Sequence, residues 1–186
     1  MARSAPAGPP PSAYQRALRR LALRDHSEAE LRRALAERGH ASEEIEDALM
    51  RLQQQNYLDD DLFAERFARS RLTHHGHGRT KIRQGLRQRG VSKEQIEGGI
   101  TAALREVSED EILDKLARRY WKQHERVEAP RRLSRLWGFL LRRGFPPGLV
   151  RGRLQTLWPR WSDALEGLEP LDPTAIDYDD GGRDVE

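Results

Sequence analysis

The chain has 186 residues and a mass of 21.4 kDa, room for one ordinary domain or a few small units in a row, which excludes a large multidomain enzyme. Leu, Ile, Val and Phe supply only 39 residues, so any core is thin, and 33 Lys and Arg against 30 Asp and Glu leave a formal charge of +3. The absence of cysteine excludes disulfides, thiolate zinc sites and thiol nucleophiles and fits a reducing cytoplasm.

Leu outnumbers Ile plus Val by 24 to 11, and residues suited to a pleated sheet are scarce, so the expected fold class is all-α. Residues 1–12 carry four prolines and almost nothing to bury, which predicts a disordered leader with structure starting near Ser12 as an N-cap.

From there the sequence repeats. Segments starting at Leu31, Ile82 and Leu136 align without gaps, each placing Leu four positions on (Leu35, Leu86, Leu140) and then Arg-Gly at 38–39, 89–90 and 143–144. Ile45, Ile96 or Val150 follows six residues after the glycine, and Leu49, Ile100 or Leu154 four beyond that. This spacing predicts a helix with an inward i, i+4 pair, stopped by a left-handed glycine beside a cation, and then a second helix. The second helix starts on Ser42, on a Ser92–Gln95 capping box, and on Pro146–Pro147. One more helix precedes each pair, patterned by Tyr14, Ala17, Leu18 and Leu21; by Leu62, Phe63 and Phe67; and by Ile112, Leu116 and Tyr120.

The expected architecture is three tandem three-helix repeats, 13–56, 57–106 and 107–161, in an elongated, curved array. A compact bundle made by duplication is the competing reading. Residues 162–186 hold nine acids and one Arg with helix-breaking Pro and Gly, an acidic disordered tail. No apolar run exceeds the scale of Phe139-Leu140-Leu141, and no signal peptide is visible, so a soluble, unexported, cytoplasmic protein without a membrane partner is expected.

Candidate chemistry is sparse. Asp59, Asp60 and Asp61 read as the cap of a helix whose core face is Leu62, Phe63 and Phe67, since a second set of oxygen ligands for a metal is missing. His74, His75 and His77, flanked by Gly76 and Gly78, read as a solvated hinge or basic contact loop, because Arg71 and Arg79 oppose a metal ion. No nucleophile elbow, phosphate-binding glycine loop or dinucleotide fingerprint occurs, and no enzyme, cofactor or metal is expected.

Charge placement is more informative. Residues 66–93 contain nine Lys or Arg and no acid, and residues 131–161 contain eight Arg and no acid. Two such blocks on successive repeats suit a polyanion or an acidic protein face. Of the four tryptophans, Trp137 reads as core, while Trp158 and Trp161 are open between packing and stacking on bases.

The run YLDDDLFA at 57–64, the link His77-Gly78-Arg79, then Lys81-Ile82, Leu86 and Arg89-Gly90-Val91 closely resemble the middle signature of the bacterial RecX regulatory family, and the tandem repeats match it over about residues 13–160. Asn56 departs from the glycine common there. The resemblance implies a non-enzymatic modulator that lies along the RecA filament on DNA and suppresses ATP hydrolysis, strand exchange and co-protease activity; a monomer is expected. Arg79, Lys81 and Arg83 are then the leading contact candidates, with Arg87, Arg142 and Arg143 beside them. The alternative is a sequence-independent DNA-binding helical module acting without RecA. The tail reads either as a solubilising appendage or as a polyelectrolyte that folds back on the basic face.

Overall fold

Residues 10–161 are described in a computed structural model of the chain; most of the proline-rich leader and all of the acidic tail lie outside them. The described chain is helical: α1 (Ala13–Leu21), α2 (Glu28–Ala36), α3 (Ser42–Gln54), α4 (Asp60–Thr73), α5 (Arg79–Gln88), α6 (Lys93–Glu106), α7 (Glu109–Gln123), α8 (Ala129–Arg142) and α9 (Pro147–Leu157), closed by a 3₁₀ turn at Pro159–Trp161.

Local signals set these boundaries. The hydroxyls of Ser12, Ser27 and Ser92 cap α1, α2 and α6, with Gln15, Glu30 and Gln95 returning the bond in full capping boxes. Asp59 caps α4 through the Leu62 N–H at 2.9 Å. The expected cap at Ser42 is displaced: Ala41 is the N-cap of α3, without a side-chain bond, and Ser42 is already helical. At the other ends, Gly39, Gly90 and Gly144 take φ of 81°, 77° and 85°. In each, the glycine N–H bonds three residues back and the following N–H five back, the Schellman arrangement that satisfies the last carbonyls. Asn56, at φ 57°, closes α3 with the same pair of bonds. Its position demands a left-handed residue, and asparagine is the side chain that tolerates it best after glycine.

Three separate cores result, one per helix triplet, with no strand among the described residues. All twelve aligned positions from Leu31 to Leu154 are at most 3% exposed. The first core also takes in Leu58, while Ile112 packs against both the second and the third. Of the expected core face of α4, Phe63 is buried, Phe67 is half-buried, and Leu62 is 40% exposed: it falls on the opposite side of the helix from the Ala64–Ala68–Leu72 stripe.

The repeats join by the same device twice. The start of α2 meets the turn that ends α5, where the Ser27 hydroxyl donates to the Arg89 carbonyl at 2.5 Å. The start of α5 meets the turn that ends α8, where the N–H groups of Gly78 and Thr80 donate to the carbonyls of Arg143 and Gly144 at 2.8 and 3.0 Å. Positive helix starts therefore face negative helix ends, and α2, α5 and α8 run head to tail through the molecule. A carboxylate from the next repeat completes each joint: Asp60 accepts from the Glu28 N–H and Glu109 from the Arg79 N–H, both at 2.8 Å.

The approach is close enough to forbid a side chain. A methyl on Gly90 would lie 2.4 Å from the Ala29 Cβ, and one on Gly144 2.4 Å from the Lys81 nitrogen, whereas Gly39, which belongs to no joint, has open space. Gly39→Ala is expected to cost only the left-handed penalty of about 1 kcal/mol. Gly90→Ala and Gly144→Ala should cost roughly 3 kcal/mol by adding overpacking to that strain; urea unfolding of the three variants tests the ranking, and equal losses would refute the joint.

Candidate functional site

In sequence the two basic blocks contain no acid, but folding brings acids to them. On α4, Arg69 pairs with Glu65 at 2.5 Å and Glu106 at 2.9 Å, and Arg66 approaches Asp25 at 3.6 Å. Arg83 on α5 holds Glu97 by two bonds of 2.5 and 2.9 Å, which lowers the Glu97 pKa and raises that of Arg83. Arg153 makes a two-point pair with Asp114. Arg89 lies 3.8 Å from Glu30, whose pKa is lowered because bonds from Arg24 and the Ser27 N–H outweigh the opposing effect of burial.

Two of the six candidate contact residues belong to a joint. Arg79 grips Glu109, itself only 4% exposed, through its own N–H, its Nε at 2.7 Å and its Nη2 at 2.6 Å. Arg143 reaches from the end of α8 to the His75 carbonyl at 2.5 Å and lies over the Phe139 ring; burial lowers its pKa. Arg83 is tied within its own repeat. Lys81 is half-buried beside Gly144, and Arg87 and Arg142 are exposed near the ends of α5 and α8. All six sit on the head-to-tail column or its turns.

The cations grouped on the surface belong only partly to the blocks. On α8, Arg131, Arg135 and Arg142 are exposed along one narrow face, at offsets of four and seven residues. On α7, Lys115, Arg118, Arg119 and Lys122 are exposed at i, i+3, i+4 and i+7, a face about 100° wide. Block counting misses this α7 face, because the acids from Glu109 to Asp114 dilute it; the helical period, applied to charge, finds it.

The histidine link is no solvated hinge. Gly76 and Gly78 are buried and His77 is half-buried between the second and third repeats, and of the three histidines only His74 is exposed. Desolvation, with Lys81, Arg143, Arg71 and His75 nearby, lowers the His77 pKa to about 4. Among the described residues no group of three acids or histidines is placed to hold a metal. Trp137 is buried in the third core at 3% exposure. Trp158 packs on Trp121 at 4.7 Å, and the Arg132 guanidinium covers the Trp121 ring at 3.9 Å, so this pair is already engaged in packing rather than offered to bases. The Trp161 side chain lies outside the described atoms.

Family models for the first, second and third three-helix domains of RecX match residues 13–52, 59–99 and 108–152. This chain belongs to the RecX family. The regulatory protein RecX of Haemophilus influenzae is 34% identical over 126 residues, covering 67% of this chain and 81% of that protein, and the RecX of Halorhodospira halophila is 41% identical over 140 residues, covering 73% and 81%. A crystal structure titled regulatory protein RecX aligns with a TM-score of 0.64 at 28% identity over 74% of this chain and 67% of that one. That of RecX from Lactobacillus salivarius aligns at 0.69 over 78% and 94%, and at 19% identity it speaks for the fold alone. RecX proteins are non-enzymatic regulators associated with recombination and DNA repair, and this chain shares that general role. No helix among the described residues is long and apolar enough to cross a membrane.

His77 gives a pH dependence with a defined sign. A histidine whose folded pKa lies below its ordinary 6.5 binds fewer protons when folded, so its share of stability is complete above 6.5 and is lost as pH falls toward about 4. Carboxylates such as Glu30 and Glu97, whose pKa values are lowered, act in the same direction at lower pH. The difference in stability between wild type and His77→Gln should therefore shrink from pH 7 to pH 5, as followed by thermal or urea unfolding at each pH.

Proposed function

We propose that this chain binds the RecA filament on DNA as a cytoplasmic monomer and restrains it, lowering ATP hydrolysis, strand exchange and co-protease activity. Membership of the RecX family, together with the resemblance in the middle repeat, gives the reading its direction. The observation that carries it is the head-to-tail column, which presents α2, α5 and α8 in one fixed sequence across three repeats. Each repeat, 13–56, 57–106 and 107–161, then meets a successive element of the filament, and individually weak contacts add through effective concentration. Arg79, Lys81, Arg83, Arg87, Arg142 and Arg143 are the contact residues in this reading, with Arg79 and Arg143 also holding the joints that space them.

A second reading, direct and sequence-independent binding of DNA without RecA, draws support from the exposed cations of α7 and α8. The two differ in salt dependence. Binding to duplex phosphates loses about 0.9 log units of affinity per log unit of salt for each phosphate neutralised; filament binding through protein faces need not.

Addition of the protein at substoichiometric ratio should lower the DNA-dependent ATPase of the cognate RecA, and no effect at any ratio would refute inhibition. A salt series comparing RecA-coated with bare single-stranded DNA separates the two readings. Substituting Arg87→Ala together with Arg142→Ala should weaken inhibition about threefold to tenfold, the scale of two exposed charge contacts, with the unfolding midpoint unchanged. Arg79→Ala should lower the midpoint itself, because it leaves the buried Glu109 without its cation.

A further inference from the structure

The described chain ends beside a cationic face that no core or joint uses. Trp158 packs on Trp121 near the C-terminal end of α7, and the Pro159–Trp161 turn follows directly. Beside that pair, Arg118, Lys122 and Arg132 line a groove of about 420 Å³ together with Glu125. From there the exposed face of α7 runs back through Arg119 to Lys115, which line a second groove of about 560 Å³ with His74, His75 and Arg143. Acids flank the face at Glu111 and Asp114, the latter paired with Arg153, and at Glu125, with no acid between Lys115 and Lys122.

The segment that follows Trp161 is the charge complement of this face. Residues 162–186 hold nine acids and one Arg, and the first acids, Asp163, Glu166 and Glu169, come at intervals of three. Lys122 and Lys115 are separated by roughly 10 Å along α7 at 1.5 Å per residue, while the eight residues from Trp161 to Glu169 reach roughly 26 Å when extended. Tethered at the groove's own rim, the segment meets the face at a millimolar-scale effective concentration.

We propose that the acidic segment beyond Trp161 docks in the same molecule along the Lys115–Arg118–Arg119–Lys122 face of α7 and there competes with an anionic partner. The docking stands on charge and position alone; the competition rests on the partner-binding reading above. The face is thus an acidic-segment site with a resident occupant, which an arriving polyanion must displace. Screening governs it: at about 1 M salt, where the Debye length is near 3 Å, the segment is released.

Carbodiimide cross-linking of the full chain, followed by peptide mapping, tests the docking. Cross-links from Asp163, Glu166 or Glu169 to Lys115 or Lys122 are expected at low salt and should vanish near 1 M salt; their absence at low salt, or links to Lys81 or Lys93 instead, overturns the proposal. The full-length variant Asp163→Asn/Glu166→Gln/Glu169→Gln tests competition, with a duplex oligonucleotide as the probe. It should bind about threefold to tenfold tighter than wild type at low salt, the scale of three exposed ion pairs, and converge with it at high salt. Unchanged affinity with the cross-links present overturns competition and leaves docking intact. A cross-link pattern as expected with no effect of the protein on RecA would overturn the filament reading and not the docking.

Discussion

The rest of the molecule depends on one contact, the start of one repeat's second helix set against the left-handed turn of the next. Each partner brings groups that would otherwise be unsatisfied: free N–H donors at a helix start and free carbonyls at a helix end. Placed together they bond to each other, with the dipoles aligned favourably. Glycine at the turn is required twice over, by its positive φ and by the absence of room for a methyl. The two joints solve the problem with different chemistry. Ser27 spans the gap with its hydroxyl, while Gly78, having no side chain, lets its backbone N–H reach the carbonyl itself. A Cβ at Gly78 would sit 2.4 Å from the Gly144 oxygen, so the tighter joint excludes the serine used in the looser one.

That contact also explains how cores this thin suffice. None of the three triplets buries more than a narrow stripe, and each obtains part of its order from its neighbour, as in other repeat proteins. Asp60 and Glu109 show the associated electrostatic cost. Asp60 has its pKa raised by burial, partly offset by the Glu28 N–H, while Glu109 is buried against the backbone and side chain of Arg79. Charges that look like generic helix-start acids therefore act as clamps between repeats. The arginines that look most available in sequence, Arg79 and Arg143, are the ones most committed to holding the joints.

The legibility of the fold follows from the range of the interactions involved. Aligned apolar positions, the Arg-Gly helix stops, the Ser12 cap and the Ser92–Gln95 capping box are local signals, and they account for three three-helix repeats and nearly all of the helices. Ser42 misleads because a serine is equally at home at N1, and the backbone at Ala41 takes the capping conformation without a side-chain bond. Leu62 misleads because the apolar stripe of α4 is built from alanines, which let the neighbouring helices approach and turn Leu62 outward. The candidate surface was less legible. Linear charge blocks record neighbours in sequence, whereas Arg83, Arg69 and Arg153 meet Glu97, Glu106 and Asp114 from 14 to 39 residues away. The α7 face stayed hidden for the converse reason, its cations being diluted in sequence by acids at the start of the same helix.

By itself, the sequence determined an all-α chain of three repeated triplets, their glycine stops, and a basic body of charge +11 joined to an acidic segment of −8. It did so because helix period, caps and left-handed turns are encoded within a few residues of one another. Only the tertiary structure decided which charges are spent within the molecule and which face outward. Ion pairing depends on distances between segments far apart in the chain, and those distances exist only once the repeats have docked.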